Sequence, residues 1–306
     1  MPLMPGANAT IGVIGPGAMG LGMVVSLVRG GFRVVARDVR PEANARAAAA
    51  GAVVAGSPAE VARAADVILV VVVDAGQIDE VLFGRDGIAA SGARDRIVSI
   101  ASTVDPDYVR SLPVRCAPAG ITILDSPISG GPARAHAGTM TVMLAGPAPA
   151  RDRCASAFAA TAGRVFTISD RVGDAAATKI VNNLLAGANL AAAAEALALA
   201  DALGLDPRST AEVISASSGA SWIFGDRVPR ALEGDFAPRA AARILAKDVG
   251  IACDVAARVR ANATFARAAR EAFADAVDAG YGEDDDAVLV KRAGERRGED
   301  TGPPRD

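Results

Sequence analysis

The first half of the chain alternates short apolar runs with longer stretches in which apolar residues recur at helical spacing. The runs are rich in valine and isoleucine and have the length of buried strands. Strands that alternate with helices predict a parallel sheet with helices on both faces. The predicted strands are Thr10–Ile14, Arg33–Ala36, Val67–Val73, Arg96–Ile100, Ile121–Leu124, Thr139–Leu144 and Arg164–Ile168.

The second half, after Gly173, shows helical periodicity alone. Its first helix is an alanine-rich stretch of roughly 30 residues, well above the usual three or four turns. Asp174 lies in its first turn, and Gly204 is placed to end it. We therefore predict an α/β domain at residues 10–172 and an all-α domain at 173–292, joined by this long helix. Residues 293–306 are rich in glycine, proline and charge, and we predict that they are disordered.

The composition limits the classes of protein to which the chain can belong. The 306 residues are 51% hydrophobic and carry a net charge of -3, which suits a soluble globular protein and gives no electrostatic footprint for nucleic acid. The longest apolar run, Val67–Val73, is far shorter than the roughly 20 residues of a membrane span. His136 is the only histidine, and Cys116, Cys154 and Cys253 have no metal-ligand or disulfide spacing. We therefore expect no metal site and no membrane association, and we expect the protein to be located in a reducing cytoplasm.

A glycine motif, Gly15-Pro16-Gly17-Ala18-Met19-Gly20, follows the first predicted strand at once and opens a helix. Gly15 permits a tight turn, Gly17 lets a pyrophosphate approach the backbone, and Gly20 allows the helix to pack closely on the strand. The N–H groups at the helix start then hold the phosphates. Strand, turn, helix and second strand lie within about 30 residues, so the pattern predicts a Rossmann-type, doubly wound dinucleotide-binding domain.

Asp38 ends the second predicted strand, where an acid accepts the ribose hydroxyls of a dinucleotide. A carboxylate at this point repels the 2′-phosphate of NADP, so the predicted cofactor is NAD. Arg37 and Arg40 flank Asp38 and offer a phosphate partial compensation, which makes the predicted preference moderate in size. The loops after later strands should line the same cofactor cleft, because ligands bind at the carboxyl ends of parallel strands.

The long helix carries one polar cluster near its start. Lys179 shares a helical face with Asn182 and Asn183, three and four residues further on. By itself this cluster fits a solvated helix edge as well as a functional site.

Four motifs in order along the chain together resemble the β-hydroxyacid dehydrogenases, the family of 3-hydroxyisobutyrate and 6-phosphogluconate dehydrogenases. The resemblance covers about residues 10–290. The motifs are the glycine motif, Asp125-Ser126-Pro127-Ile128-Ser129-Gly130-Gly131 with its continuation Gly138-Thr139-Met140, Lys179-Ile180-Val181-Asn182-Asn183, and Lys247-Asp248.

The resemblance implies oxidation of a small hydroxy acid with NAD. Lys179 matches the family's catalytic lysine, the general acid/base, and Asn183 matches its companion on the same face. Lys247 matches a lysine that contacts both cofactor and substrate. The residues that match the loop holding the substrate carboxylate are Ser129, Gly130 and Gly131. The residues that match contacts to the nicotinamide half of NAD are Val73, Gln77 and Thr103.

Further stretches, among them Ser221-Trp222-Ile223-Phe224 and Gly282-Glu283-Asp284-Asp285, are similar to the branch that oxidises L-threonate to 2-dehydro-L-erythronate. Oxidation of 3-hydroxyisobutyrate and reduction of 2-hydroxy-3-oxopropionate are the alternatives within the family. Imine reductases and non-catalytic relatives share the fold, but they carry another residue at the position of Lys179.

Three smaller expectations concern the second domain. A domain of its size can hardly cover the long apolar helix alone, so we predict a homodimer or homotetramer. Trp222 is expected to pack inside the domain rather than to contact substrate. The acidic run Glu283–Asp286 is expected to lie in a solvated loop or, alternatively, to cap the cleft of a partner subunit.

Overall fold

The structure is a computed structural model that describes residues 6–300, with side chains for residues 10–296. It divides the chain into two compact units, Met1–Lys179 and Ile180–Asp306. The division falls inside the long helix, seven residues after the boundary predicted from the sequence (179 against 172). The reason is that the first turn of this helix packs with the sheet of the first unit: Ala176 is part of that core.

In the first unit, the strands form one sheet in the order β3-β2-β1-β4-β5-β6-β8-β7, with β9 paired to β8. From β3 to β6 in this order, neighbouring strands run parallel, and β9 runs parallel to β8, whereas β8 runs antiparallel to β6 and β7. This confirms the predicted doubly wound α/β fold. The strands are β1 (Gly6–Ile14), β2 (Phe32–Arg37), β3 (Val53–Val54), β4 (Val67–Val70), β5 (Arg96–Ile100), β6 (Ile121–Asp125), β7 (Ile128–Ser129), β8 (Met140–Ala145) and β9 (Ala162–Ser169).

Helices cover both faces of the sheet and produce two separate cores. On one face Met23, Leu27 and Phe158 pack on the sheet; on the other, Ile78, Leu82 and Val109 do so. Both sets are fully buried, which is where most of the stabilisation of this unit comes from. The helices are α1 (Ala18–Arg29), α2 (Pro41–Ala49), α3 (Pro58–Ala64), α4 (Ala75–Phe83), α5 (Pro106–Cys116), α6 (Gly131–Ala137) and α7 (Ala148–Thr161).

The strand order reverses at β1, which lies between β2 and β4. Helices leave opposite faces of the sheet at such a point, so a crevice opens at the carboxyl ends of the two central strands. β4 is shorter than predicted and ends at Val70, because its regular pairing with β1 and β5 stops there. The N–H of Val71 still donates a hydrogen bond to the backbone oxygen of Ile14, but the N–H of Val72 donates to the hydroxyl of Ser102 at 3.1 Å.

In the described part of the second unit, only helices follow the long one, as predicted, apart from an isolated bridge between Ala241 and Asp285. Leu190 of the first helix and Val249 belong to one core with Phe273. The side chain of Val249 packs so closely on Gly187 that a Cβ at Gly187 would overlap it. The helices are α8 (Asp174–Ala202), α9 (Pro207–Ser215), α10 (Trp222–Leu232), α11 (Ala242–Arg258), α12 (Thr264–Ala276) and α13 (Val288–Asp300). Helix α13 continues into the segment predicted to be disordered, of which residues 301–306 lie outside the described residues.

Helix α8 is long and apolar enough, by length and composition alone, to cross a membrane, and 39% of its most apolar stretch is buried inside the protein. The core helix of a soluble protein passes the same test. The observation is therefore weak evidence for a membrane span.

Only the start of the acidic run of the second unit is solvated: Glu283 is exposed, whereas Asp285 is 0% exposed and Asp286 2%. The Asp285 carboxylate accepts the N–H groups of Arg239 and Ala240, and Asp286 pairs with Arg227 at 2.5 Å. Burial raises the pKa of Asp286 to about 6, although Arg227 acts against the shift. The prediction of a solvated loop was therefore wrong for Asp285 and Asp286. The sequence did not reveal their pairing because Arg227 and Arg239 lie about 50 residues earlier in the chain.

Trp222 also differs from the sequence expectation. It begins α10 and is 63% exposed, so it does not pack into the core of its unit. His136 is exposed, although its backbone oxygen accepts a hydrogen bond from Ser26.

Candidate functional site

The glycine motif forms the turn between β1 and α1, and its backbone leaves no room for side chains. Gly15 has φ +87°, which favours glycine, and a Cβ there would overlap the backbone oxygen of Val71. A Cβ at Gly20 would overlap the carbonyl oxygen of Gly15 and lie 3.0 Å from its carbon. Gly17 caps α1 without any side-chain hydrogen bond. The N–H groups at this helix start therefore fit a pyrophosphate, and Pro16, Ala18 and Met19 complete the turn.

Asp38 lies just past β2, at the same edge of the sheet, and is buried. Arg40 donates to both of its carboxylate oxygens, from Nε and Nη2, at 3.0 Å each. Burial raises the pKa of the Asp38 carboxyl, but the hydrogen bonds and charge of Arg40 outweigh it and hold the pKa below its ordinary value. Asp38 is therefore an anion positioned for the ribose of a dinucleotide.

The predicted contacts to the nicotinamide half fall in the loops after β4 and β5, which are neighbours in the sheet. The N–H of Val73 donates to the side-chain oxygen of Gln77 at 2.9 Å, so these two residues form one local unit. Thr103 follows Ser102, whose hydroxyl accepts from the loop after β4. The structure thus brings the three predicted residues to one edge of the sheet, beside the glycine turn.

The second sequence motif begins at Asp125, the last residue of β6, and ends with the predicted substrate residues Ser129, Gly130 and Gly131. We call this whole stretch, Asp125 to Gly131, the substrate loop; it includes the short strand β7, where Ser129 pairs with Thr141 of β8. Gly130 and Gly131 follow with φ of +129° and +74°, a pair of conformations that favours glycine at both positions. Helix α6 begins at Gly131 and packs against α1. As a result, the substrate loop and the glycine turn each lead into one of two helices that contact each other.

Contact between α6 and α1 depends on two residues whose role the sequence did not reveal. A Cβ at Gly22 would lie 2.6 Å from the Cβ of Ala135, and the buried hydroxyl of Ser26 donates to the Ala135 oxygen at 2.8 Å. A glycine inside a helix is a signal for such close packing, but its partner 113 residues away (135 − 22) carries no local sign.

Lys179 lies in the second turn of α8 and is 7% exposed, which excludes the solvated helix edge as an explanation for it. The start of this helix is held by Asp125, the first residue of the substrate loop. One oxygen of the Asp125 carboxylate accepts the N–H groups of Gly173 at 2.9 Å and Ala176 at 2.8 Å. Ala176 precedes Lys179 by one turn. A single buried carboxylate therefore links the substrate loop to the helix that carries the lysine.

Asp125 should make the stability of the protein pH-dependent. Burial raises its pKa to about 6 from an ordinary 3.8, against the effect of the Ala176 and Gly173 N–H groups. A carboxyl whose pKa is raised in the folded state stabilises the fold below its unfolded pKa and loses that contribution as pH rises through about 6. The loss amounts to about 2 kcal/mol between pH 4 and pH 7.

We therefore expect the melting temperature of the wild type to fall more between pH 4 and pH 7 than that of Asp125→Asn, measured by circular dichroism. Asp174→Asn is the control, because Ser169 and Arg171 lower the pKa of the partly buried Asp174 from its ordinary value of 3.8, which already lies below this window. Equal pH profiles for the wild type and Asp125→Asn would contradict the prediction.

In the second unit, Asn183 donates from Nδ2 to the buried Asp248 carboxylate at 2.6 Å. The other oxygen of Asp248 pairs with Lys247 Nζ at 2.7 Å. Asn183 also accepts from Asn182 at 3.0 Å, so its amide has a fixed orientation. Asn183 lies one helical turn after Lys179 on α8, on the same face, as the sequence predicted. The predicted residues Asn183 and Lys247 thus form one hydrogen-bonded and ion-paired group with Asn182 and Asp248.

Comparisons with known proteins agree with this geometry. Residues 10–169 match the model of the NAD binding domain of 6-phosphogluconate dehydrogenase, and residues 173–293 match that of the NAD-binding domain of NADP-dependent 3-hydroxyisobutyrate dehydrogenase. The first match alone covers more than half of the chain. The chain belongs to the β-hydroxyacid dehydrogenase family. The expectation from the sequence motifs is confirmed.

The relatives cover the chain almost completely. The L-threonate dehydrogenase of Cupriavidus necator is 44% identical over 284 residues, which are 93% of this chain and 96% of the relative. A crystal structure of 3-hydroxyisobutyrate dehydrogenase from Salmonella typhimurium is 35% identical, with TM-score 0.85 over 93% of this chain and 100% of that one. The structure of Psf3 in complex with NADP+ and 2-OPP is 25% identical, with TM-score 0.84 over 92% and 99%.

These matches establish the class of this dehydrogenase. It is an oxidoreductase that uses a nicotinamide dinucleotide to oxidise or reduce a hydroxy acid, as predicted. Among the described residues, no group of three or more histidine, cysteine, aspartate or glutamate side chains is placed to hold a metal ion.

Proposed function

We propose that this dehydrogenase oxidises the C2 hydroxyl of L-threonate with NAD and forms 2-dehydro-L-erythronate. The observation that carries the proposal is the buried Lys179 on a helix whose start is held by the substrate loop through Asp125. The 44% identity to an L-threonate dehydrogenase along nearly the whole chain supports the choice of substrate.

Lys179 has the role of general acid/base. Oxidation of an alcohol needs an acceptor for a hydride and a base for the hydroxyl proton. NAD supplies the hydride acceptor when it is bound. The Nζ of Lys179 takes the proton of the C2 hydroxyl during oxidation and returns it during reduction.

The other proposed residues bind and orient the substrate. The Ser129 hydroxyl and the N–H groups of Gly130 and Gly131 hold the carboxylate, because an anion favours several converging donors. The Asn183 amide has a second Nδ2 hydrogen beyond the one given to Asp248, and this hydrogen is available to a substrate hydroxyl. Lys247 contributes a positive charge that Asp248 holds in place at 2.7 Å.

A panel of acids tests the substrate. L-threonate, erythronate, 3-hydroxyisobutyrate, glycerate and 6-phosphogluconate are compared with NAD by the absorbance of NADH. We expect the highest kcat/KM for L-threonate. A higher kcat/KM for 3-hydroxyisobutyrate would contradict the proposed substrate. It would not affect the proposed type of reaction, since both compounds are hydroxy acids.

The same assay with NADP tests the cofactor. Because the Asp38 carboxylate is buried and ionised, it accepts ribose hydroxyls and repels a 2′-phosphate. We expect kcat/KM to be higher with NAD than with NADP. A higher value with NADP would contradict the assignment of Asp38.

We also propose that the protein is a homodimer or homotetramer in the cytoplasm. Helix α8 exposes a row of large apolar side chains at Val181, Leu185, Leu199 and Leu203, which are 59% to 69% exposed. Such a row is unfavourable in water and typical of a surface covered by another copy of the chain. The three cysteines are free and buried, in keeping with a reducing compartment.

The variant Leu185→Glu/Leu199→Glu should therefore shift the mass in light scattering toward that of a monomer. Val114→Glu on α5 is the matched control, since Val114 is 80% exposed but is not part of this row on α8. A wild type that is monomeric at micromolar concentration would refute the proposal.

A further inference from the structure

The two edges of the sheet differ in length. One edge is β3, which has two residues, and the other is β9, which has eight. Thr141 of β8 pairs with Ser129 of β7 on one side and with Arg164 of β9 on the other. The outer side of β9 pairs with no further strand in the described part of the chain. Because an open edge exposes a row of unpaired N–H and C=O groups, proteins keep such edges short, charged or covered. β3 is protected by its shortness, whereas β9 is not.

The side chains of β9 are exposed on both faces of the sheet. Phe166 is 44% exposed, Val165 41% and Ile168 36%. Val165 and Phe166 point to opposite faces, since successive side chains of a strand alternate. From Val165 to Ser169 there is no charged residue and no proline, which are the usual devices that keep an edge strand from pairing. The outer edge of β9 is therefore suited to the addition of another strand.

A second copy of β9 fits this edge. Two copies related by a two-fold axis run antiparallel, so the beginning of each strand meets the end of the other. If the axis passes near Thr167, Arg164 lies opposite Asp170 of the partner subunit, and Phe166 lies opposite the partner's Ile168. The first pair joins opposite charges, and the second joins an aromatic ring with a β-branched side chain. Both kinds of cross-strand pair stabilise a sheet.

The two charged groups are available at the surface. The Asp170 side chain is 76% exposed, and only its Oδ1 pairs with Arg151, at 2.6 Å. The guanidinium of Arg164 lies 5.0 Å from the ring of Phe166 and forms no ion pair within the described residues. A cation at the beginning of β9 and an anion just after its end make the strand complementary to an antiparallel copy of itself.

We propose that β9 pairs with β9 of a second copy of this chain, so that two sheets join into one across a two-fold axis. The proposal rests on the self-association proposed above and assigns to it a second surface, separate from the apolar row on α8. Two different self-complementary surfaces on one chain generate a tetramer, because each copy then contacts one partner through β9 and another through α8.

The first test measures the mass of the full chain by light scattering. Phe166→Glu should halve the mass, from tetramer to dimer or from dimer to monomer, because it places a charge inside the paired strands. Combined with Leu185→Glu/Leu199→Glu it should give a monomer. Val54→Glu is the matched control, since Val54 is 40% exposed on the other edge strand, and it should leave the mass unchanged. Circular dichroism confirms that each variant is folded.

The second test exchanges the two charges. Arg164→Asp and Asp170→Arg should each weaken the association of copies roughly tenfold, because the exchanged residue repels its opposite charge twice across the axis. The double variant should recover the wild-type association. The two positions are six residues apart on one strand (170 − 164), about 20 Å, so they cannot pair within one chain. Loss of the pair with Arg151 persists in the double variant, so the recovery isolates the contact between copies.

The outcomes separate this proposal from the general one. A monomeric wild type would refute both. If the α8 variant lowers the mass but Phe166→Glu keeps the wild-type mass, the copies associate without β9 and only the present proposal fails. A double charge variant as weak as the single variants would likewise overturn the antiparallel pairing of β9.

Discussion

Replacement of Lys179 by alanine should lower kcat by about 10²- to 10⁴-fold, the range that a general acid/base supplies. Lys179 is buried on α8 and is the residue proposed to exchange the hydroxyl proton. Because the glycine turn and Asp38 are unchanged, the dissociation constant of NADH, measured by its fluorescence, should stay within about twofold of the wild-type value. Loss of turnover with intact binding separates a catalytic role from a structural one.

Two further variants sharpen this result. Lys179→Arg keeps the charge but carries a group that does not release its proton near neutral pH, so it should be as inactive as the alanine variant. Glu195→Ala changes an exposed residue of the same helix and should keep full activity. Activity of Lys179→Ala within tenfold of the wild type would sink the assignment of Lys179.

The second large effect is expected at Gly20. Alanine there would place a Cβ on the carbonyl oxygen of Gly15, and both atoms that it meets belong to the backbone of the turn. Backbone cannot move aside as a flexible side chain can, so the turn must open and its N–H groups must turn away from the phosphates. We expect Gly20→Ala to weaken NAD binding roughly 100-fold or more, by calorimetry.

Gly225→Ala is the matched control for this substitution. Gly225 lies in helix α10, and a Cβ there meets nothing within 4 Å. Alanine at this position should leave NAD binding unchanged and stabilise the helix by about 0.5 to 1 kcal/mol. Wild-type affinity for NAD in Gly20→Ala would show that the turn is not the cradle of the pyrophosphate.

The features predicted correctly from the sequence are those with a local signal. The strand Arg96–Ile100 agrees with the structure to the residue, and the long helix differs from its prediction only at the ends. Periodicity over many residues identifies such elements. The sequence does not predict the two-residue strand Val53–Val54 or the seven-residue helices α3 and α6. Segments of this length are too short to show a hydrophobic period.

The candidate site is divided in the same way. The glycine turn, the acid at the end of β2 and the lysine face of α8 are visible in the sequence, since spacing and residue type carry them. Their partners are not visible. Arg40 lies only two residues from Asp38, yet the order of residues does not tell that its guanidinium holds the carboxylate. Asp125 contacts the start of α8 from 48 residues away.

The sequence by itself therefore determined the fold class, the family and the residue types of the site, because local periodicity and short motifs encode them. Only the tertiary structure decided which charges are buried and what holds them. It turned the acidic run at Asp285 and Asp286 into an internal ion-pair cluster, exposed Trp222, and connected the substrate loop to Lys179 through Asp125. Burial and hydrogen bonding depend on residues brought together from distant positions, and no pattern within one segment specifies them.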